Sequence, residues 1–221
     1  MCNSSCLPVP VLRHRCTDAQ ARHATFRPYS LPLAFNREMR NLIFPLILAL
    51  ALTGCASRQT QPLETVPFVD LERYMGQWYV IANIPYFGER GNVAGRAIYQ
   101  MRDDGRMDDI YLYRKRDFDQ PERRLEGIAW VVDQDTQARW KVRFYWPFTF
   151  DYYIVDLDPD YQWTLVGHPS RRYAWIMARE PRIDDALYQQ LLARLAELQF
   201  DADALRKVPQ FPEQVGQAGF Q

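Results

Sequence analysis

Few side chains in this sequence have the type and spacing that catalysis requires. After Cys55 the chain has one histidine, His168, and its serines are Ser57 and Ser170. An imidazole two residues from a hydroxyl can activate that hydroxyl as a nucleophile, but in a segment with Gly and Pro the same pair is more typical of a turn. The sequence contains no Gly-x-Ser-x-Gly elbow, no His-x-x-x-His metal pair and no phosphate-binding loop.

Carboxylate pairs are the other candidates for acid–base chemistry. Asp103 and Asp104 precede Gly105 in a strong hairpin signal, and Asp108 and Asp109 follow closely. Carboxylates beside a hairpin are most simply solvated, although a pair of them is also the chemistry of a glycosidase. The sequence therefore predicts a protein that is not an enzyme and uses no cofactor and no metal, with a glycosidase-like pair left open.

The overall charge excludes some partners. Lys and Arg number 27, Asp and Glu also number 27, and the formal net charge is zero, so no general attraction to nucleic acid is implied. Arg139, Lys141 and Arg143 alternate with apolar residues, a pattern that nucleic-acid barrels also use. We interpret these cations as a soluble outer face or a surface that meets lipid headgroups, and we predict no nucleic-acid partner.

The N-terminal region has the organisation of an export signal. Residues 1–38 show no apolar periodicity, whereas residues 39–54 begin with the positively charged start Met39-Arg40-Asn41 and continue with an apolar core too short to span a bilayer. Leu52-Thr53-Gly54-Cys55 resembles a bacterial lipobox, which implies that Cys55 is lipidated after cleavage. We expect residues 1–38 to be a mis-assigned upstream extension and residues 39–54 to be a lipoprotein signal peptide.

The segment that follows Cys55 is predicted to be a lipidated tether. Residues 55–66 are rich in Ser, Gln, Thr and Pro, and a coil of this length reaches on the order of 20 Å. By the same resemblance, Ala56 implies sorting to the outer membrane, with the periplasmic face favoured. No cysteine follows Cys55, so the rest of the chain folds without a disulfide.

Short strands are the elements that must position any site. One amphipathic helix follows them, with Asp184 as its cap and an apolar stripe through Leu187, Leu191, Leu195 and Leu198. Strands at hairpin spacing without intervening helices indicate an all-β antiparallel sandwich or barrel. Residues 205–210 could add a short strand, and residues 211–221 read as a loose tail. The eight predicted strands are residues 78–84, 93–102, 106–116, 123–132, 139–144, 150–157, 161–166 and 173–179.

Three motifs resemble, in order, the signature regions of the lipocalin family. Gly76-Gln77-Trp78 begins the first strand, Asp156–Tyr161 lies between the sixth and seventh, and Arg179 ends the eighth. Residues 90–93, 102–105 and 173–179 are similar more narrowly to the bacterial outer-membrane lipocalins, the relatives of apolipoprotein D. The resemblance implies an eight-stranded antiparallel up-and-down barrel over residues 67–210, with one C-terminal α-helix packed outside.

The resemblance also implies a structural role for three residues. In lipocalins the tryptophan, here Trp78, plugs the closed end of the barrel, and the arginine, here Arg179, packs over it, as cation–π attraction favours. Gly76 permits the sharp turn and close approach that this packing needs. We therefore assign Gly76, Trp78 and Arg179 to structure and not to ligand binding.

Alternation along the strands predicts which residues face the lumen. Trp140, Val142 and Phe144 share one face of a cleanly alternating strand, and Ala97 and Tyr99 join the lumen by the resemblance. An apolar lumen with phenols near its mouth suits an amphiphile whose chain lies inside. The residues predicted to bind ligand are Ala82, Ala97, Tyr99, Tyr111, Trp140, Val142, Phe144, Tyr152, Tyr173 and Trp175.

The sequence as a whole predicts a membrane-anchored lipocalin that binds, stores or transports fatty acids or lysophospholipids in the bacterial cell envelope. The identity of the lipid and the envelope role follow from the resemblance, and the binding itself follows from the predicted pocket. The alternative is a structural or adhesive lipoprotein whose aromatic side chains fill the barrel. Whether the protein forms a homodimer is left open.

Overall fold

Nine strands, two α-helices and two short 3-10 helices make up the regular structure of residues 61–221, the part of the chain that the computed structural model describes. The predicted lipidation site Cys55, the signal peptide and the upstream extension lie outside these residues. The helices are α1 (Leu71–Tyr74) and α2 (Asp185–Glu197), and the strands are β1 (Gly76–Asn83), β2 (Asn92–Met101), β3 (Met107–Lys115), β4 (Arg123–Val131), β5 (Arg139–Tyr145), β6 (Phe148–Leu157), β7 (Trp163–Gly167), β8 (Ala174–Ala178) and β9 (Arg206–Lys207).

Strands β1 to β8 close into one antiparallel barrel. Each strand pairs with the next along the chain, and β1 completes the circle because it pairs with both β2 and β8. The short β9 extends the sheet beside the far end of β1. This arrangement confirms the predicted fold class, and all eight predicted strands are present within two residues of their predicted bounds.

The up-and-down order gives the barrel two different ends. Helix α1 and the turns that follow β2, β4 and β6 lie at the end where β1 begins, which we call the closed end. The turns after β1, β3, β5 and β7 gather at the opposite, open end. Among residues 61–221, no helix is both long and apolar enough to cross a bilayer.

Helix α2 packs against the outside of the barrel. The Asp184 carboxylate accepts a hydrogen bond of 2.8 Å from the Leu187 backbone N–H and caps the helix start. Leu191 and Leu195 are buried in a second apolar cluster between the helix and the sheet, where each contributes about 2 kcal/mol. The predicted cap and apolar stripe are therefore both present.

A β-bulge in β1 changes which side chains face the lumen. The register of β1 against β8 shifts between Val80 and Ala82. Val80 belongs to the core inside the barrel, whereas Ile81 and Ala82 both belong to the cluster under α2. The prediction that Ala82 faces the lumen is therefore wrong, because the extra residue of a bulge inverts the alternation beyond it.

The chain segments that flank the barrel are packed against it. Leu63 is buried in the outer cluster, and the Val66 N–H donates to the Ile154 carbonyl at 3.0 Å, so packing begins before residue 67. The expected loose tail is also packed. The side chain of Gln221 accepts from the Gly91 N–H and donates to Asn83 Oδ1, because buried backbone groups at the open end need partners.

Candidate ligand-binding site

The closed end of the barrel is sealed by Trp78 and Arg179. Trp78 is fully buried and donates from Nε1 to the Tyr74 carbonyl at 2.8 Å. The Arg179 guanidinium lies over the Trp78 ring and donates to the Gln77 carbonyl at 2.8 Å. Gly76 has φ of 92°, and a Cβ there would lie 3.4 Å from Arg179 Nη1. Trp78 and Arg179 thus bond to backbone carbonyls at the closed end, and Gly76 leaves room for the guanidinium.

Three phenols and one indole lie directly inside this seal. The Tyr152 hydroxyl is 2.8 Å from that of Tyr74 and accepts a hydrogen bond of 3.0 Å from that of Tyr99. Trp140 stacks on Tyr152, with ring centroids 5.1 Å apart. Burial holds the pKa of Tyr99 and Tyr152 well above the usual value, so these hydroxyls are neutral. They form the floor of the barrel interior.

Above this floor the barrel encloses a cavity of about 210 Å³. Its walls are mostly aromatic and aliphatic, and residues from the open-end loops border its mouth. Most of the residues predicted to bind ligand line it: Ala97, Tyr99, Tyr111, Val142, Phe144, Tyr152, Tyr173 and Trp175. Its other lining residues are Val80, Tyr86, Phe87, Glu89, Asp109, Tyr145, Phe150, Asp151, His168 and Met177.

Two residues predicted to bind ligand do not line the cavity. Ala82 lies on the outer face, as the bulge in β1 dictates. Trp140 faces inward but is fully buried beneath the floor, since its Nε1 donates to the Gln137 carbonyl at 2.7 Å and its ring is covered by Tyr152. Alternation identified the correct face of β5 but not the depth at which each side chain lies.

Asp109 is a lumen residue that the sequence analysis missed. It was predicted to be solvated beside a hairpin, but only 4% of it is exposed and it lines the cavity. Its neighbour Asp108 is the outward-facing residue and forms an ion pair of 2.6 Å with Arg102. The signal was available in the period-two alternation of β3, because Asp109 lies between Met107 and Tyr111 on one face.

The Asp109 carboxyl has no hydrogen-bond donor among residues 61–221. Its cross-strand neighbours are Tyr99 on β2 and Gly127 on β4. Burial, together with the nearby negative charge of Glu89, raises the pKa of Asp109 to about 7. The cavity therefore contains a carboxyl that is ionised only in part at neutral pH.

Glu89 is a second buried carboxyl on the cavity wall, and it comes from the loop between β1 and β2. Its two oxygens accept hydrogen bonds of 2.9 Å from Asn83 Nδ2 and from Trp175 Nε1. Burial raises its pKa to about 7. No periodic pattern marks a loop residue as buried, so sequence reasoning had no signal for Glu89.

The histidine and serine singled out by the sequence are close together at the mouth. His168 Nδ1 lies 2.8 Å from Ser170 Oγ and accepts from the Ser170 backbone N–H at 3.1 Å. Partial burial lowers the pKa of His168. The imidazole nitrogen thus satisfies a backbone donor of its own turn, an arrangement typical of turn chemistry.

Exposed aromatic side chains surround the mouth of the cavity. Phe87 is 85% exposed and Trp146 is 82% exposed, unusual values for such apolar residues. We call this set the aromatic rim, and it consists of Phe87, Tyr145, Trp146, Phe148 and Phe150. Three of its members, Phe87, Tyr145 and Phe150, also line the cavity, so the lumen and the rim form one continuous apolar surface.

Comparison with known proteins gives a consistent result. The family model described as a lipocalin-like domain matches residues 69–210. Temperature-induced lipocalin-1 of Arabidopsis thaliana is 35% identical over 69% of this chain and 85% of its own length. Outer membrane lipoprotein Blc of Citrobacter freundii is 34% identical over 76% of this chain and 97% of its own length.

Solved structures show the same architecture at lower sequence identity. Insecticyanin from the tobacco hornworm Manduca sexta superposes with a TM-score of 0.55 and 17% identity, covering 70% of this chain and 87% of its own. At this identity the likeness concerns the fold alone.

Proposed function

The chain belongs to the lipocalin family, and from that premise we propose that it binds, stores or transports an amphiphilic lipid, either a fatty acid or a lysophospholipid, in the bacterial cell envelope. The observation that carries this proposal is the cavity of about 210 Å³ inside the barrel. The structural or adhesive alternative requires aromatic side chains that fill the lumen. An open, apolar cavity favours ligand binding over that alternative.

The size and lining of the cavity favour a ligand with one chain. Its volume lies below the range of roughly 300–1,000 Å³ that is usual for sites of drug-sized ligands, so a lipid with two chains would not be enclosed. Each methylene that enters contributes about 0.8 kcal/mol before the costs of association.

We propose that the protein acts at a membrane surface, anchored through Cys55. Its similarity to a relative named outer membrane lipoprotein supports this location. The aromatic rim supports it independently, because Trp and Tyr side chains favour the interface between lipid and water. A rim continuous with the lumen would allow a lipid to pass between membrane and barrel without crossing water.

We further propose that the protein performs no chemistry on its ligand. The cavity holds Glu89, Asp109 and His168, but Glu89 is engaged by two donors and His168 by its own turn. Asp109 is then left as a single carboxyl without a second acid–base group or a nucleophile paired with it in the described part of the chain. A bound lipid would therefore be held and released unchanged.

The proposal is tested by native mass spectrometry of the full-length protein, titrated with a fatty acid and with a lysophospholipid. Val142 lines the cavity, so Val142→Trp fills the lumen and should abolish the bound mass. Lys141, the preceding residue, faces outward and pairs with Asp151 at 2.8 Å, so Lys141→Trp is the matched control and should retain the bound lipid mass. Circular dichroism verifies that both variants fold.

Two results would count against the proposal. An unmodified protein that binds neither lipid would overturn the binding function and favour the filled structural barrel. Equal binding by Val142→Trp and the unmodified protein would show that lipid does not occupy the lumen.

A further inference from the structure

We propose that the ligand of this barrel carries an ammonium group that pairs with Asp109 at the floor of the cavity, so that the amphiphile enters with its polar end first. This inference rests on the proposed binding of a single-chain amphiphile, and it narrows the class of that amphiphile to one with an ammonium group, which a fatty acid lacks. It is carried by the position of Asp109, by the lack of a partner for it within residues 61–221, and by the charge of the surrounding wall.

Asp109 lies deep in the barrel. It is paired across the sheet with Tyr99, and Tyr99 is paired in turn with Gly76, the first residue of β1 at the closed end. The Tyr99 hydroxyl belongs to the floor cluster with Tyr152 and Tyr74. A ligand group that reaches Asp109 has therefore entered nearly the full depth of the cavity.

The Asp109 carboxyl is built into the wall without a partner. It is 96% buried, since only 4% of the residue is exposed, and it lines the cavity. Within residues 61–221 it receives no hydrogen bond and forms no ion pair, whereas Glu89 accepts from both Asn83 and Trp175. Because a buried carboxylate without a partner is costly, a donor from the ligand would recover free energy at Asp109 and not at Glu89.

The charge of the cavity wall favours a cation. Its carboxyls are Glu89, Asp109 and Asp151, and the last is already paired with Lys141. In the described part of the chain, neither Lys nor Arg lines the cavity, and His168 is its sole basic residue, at the mouth. A carboxylate or phosphate at the floor would meet the Asp109 carboxyl, with Glu89 nearer the mouth, whereas an ammonium group would meet its counter-ion.

Aromatic faces beside Asp109 add to this preference. Tyr99 is its cross-strand neighbour, and Tyr111 follows it on the same face of β3. Both rings line the cavity, and aromatic rings attract cations through their negative faces. An ammonium group at this position would have a carboxylate and aromatic rings as neighbours.

The ionisable groups near Asp109 make the pairing dependent on pH. They are Glu89, on the β1–β2 loop, and the phenols of Tyr74, Tyr86 and Tyr99. Burial raises the pKa of each phenol, and the negative charge of Asp109 raises it further. These phenols stay neutral across the accessible range. Because the pKa of Asp109 is about 7, ammonium binding should strengthen as pH rises from 6 to 8.

The test compares three probes of one chain length: octylamine, octanoic acid and octan-1-ol. Isothermal titration calorimetry at pH 8 on the full-length protein should show the tightest binding for octylamine. Asp109→Asn should weaken octylamine binding by about tenfold or more, because it removes the counter-ion. The matched control is Asp108→Asn, which alters the adjacent carboxylate on the outer face and should leave the affinity unchanged.

A second measurement needs no substitution. With a pKa of about 7 for Asp109, its ionised fraction falls about tenfold from pH 8 to pH 6, and octylamine affinity should fall by about the same factor. Octanoic acid should show no such loss, since protonation of Glu89 and Asp109 removes repulsion. Because Glu89 also has a pKa of about 7, a tenfold fall alone would not distinguish the two carboxyls, but an octylamine affinity that does not change with pH would overturn the proposal even if Asp109→Asn does not fold.

The outcomes separate this inference from the proposed function. Binding of octanoic acid or octan-1-ol without preference for octylamine, or equal octylamine affinity in Asp109→Asn and the unmodified protein, would overturn the ammonium site and leave lipid binding in place. Failure of all three probes and of the lysophospholipid to bind would overturn both.

Discussion

The guanidinium carbon of Arg179 lies 3.8 Å from the ring centroid of Trp78. The same side chain donates hydrogen bonds to the carbonyls of Arg73, Gln77 and Tyr161, at 2.7, 2.8 and 3.3 Å. One side chain therefore connects helix α1, the start of β1 and the turn between β6 and β7. This relationship makes Arg179 the residue on which the closed end depends most directly.

Replacement of Arg179 by Met should destabilise the protein by about 2–4 kcal/mol, because it removes several charge-assisted hydrogen bonds and a cation–π contact. The measurement is the free energy of unfolding in urea. Arg182→Met is the control, since the Arg182 side chain is 65% exposed over the Phe211 ring and should change stability by no more than about 0.5 kcal/mol. Equal effects of the two substitutions would contradict this role for Arg179.

Stability should depend on pH through Asp109. Its pKa is about 7 in the folded protein and about 4 in an unfolded chain, so the native state binds more protons between these values. The contribution of Asp109 to the free energy of unfolding is therefore largest below about pH 4 and is lost as the pH rises through 7. Between pH 5 and pH 8 the loss is about 2–3 kcal/mol.

Urea unfolding at several pH values measures this dependence. Asp109→Asn should flatten the profile, with a smaller slope of the same sign remaining from Glu89, whose pKa is also raised to about 7. Asp108→Asn should leave the profile unchanged. A profile for Asp109→Asn as steep as that of the unmodified protein would show that Asp109 titrates normally.

Gly127→Ala should reduce ligand affinity several-fold. A Cβ at Gly127 would lie 2.7 Å from Cδ1 of Phe144, so the ring must move and the lumen must change shape, at a cost in stability of about 1–3 kcal/mol. Titration with a lysophospholipid and a thermal melt measure both effects. The control is Glu126→Ala, at an exposed neighbouring position, which should alter neither the affinity nor the stability. Unchanged affinity in Gly127→Ala would show that the ligand binds outside the lumen.

The aromatic rim should control exchange with membranes. The test combines Trp146→Ser with Phe148→Ser in a Cys55→Ala background, which removes the predicted anchor. This variant should take up lipid from vesicles about tenfold more slowly or slower still, because two exposed apolar side chains no longer enter the membrane interface. Stopped-flow fluorescence with a labelled lysophospholipid measures the rate. The affinity for a monomeric octyl probe should not change.

The control for this experiment is Val132→Ser, which removes an exposed apolar residue next to β4 at the closed end. It should leave the uptake rate unaltered. If the control slows uptake as much as the rim variant, membrane contact does not occur through the open end.

Local patterns in the sequence predicted the elements of this protein well. Alternation defined the strands, Asp104 and Gly105 predicted the β2–β3 turn, where Gly105 adopts φ of 78°, and Asp184 marked the start of α2. Each of these signals depends on residues within a few positions of one another. The motif residues Gly76, Trp78 and Arg179 could be identified because they lie at strand ends in a recognisable order.

The sequence alone thus determined the strands, the helix, the family and most of the lumen face, since period-two alternation follows from the backbone of a single strand. The tertiary structure decided what depends on pairing between strands. The bulge against β8 moved Ala82 outward, stacking on Tyr152 placed Trp140 beneath the floor, and closure of the barrel buried Asp109 and Glu89. Burial depth and the lack of a partner are properties of the closed barrel, and no local pattern contains them.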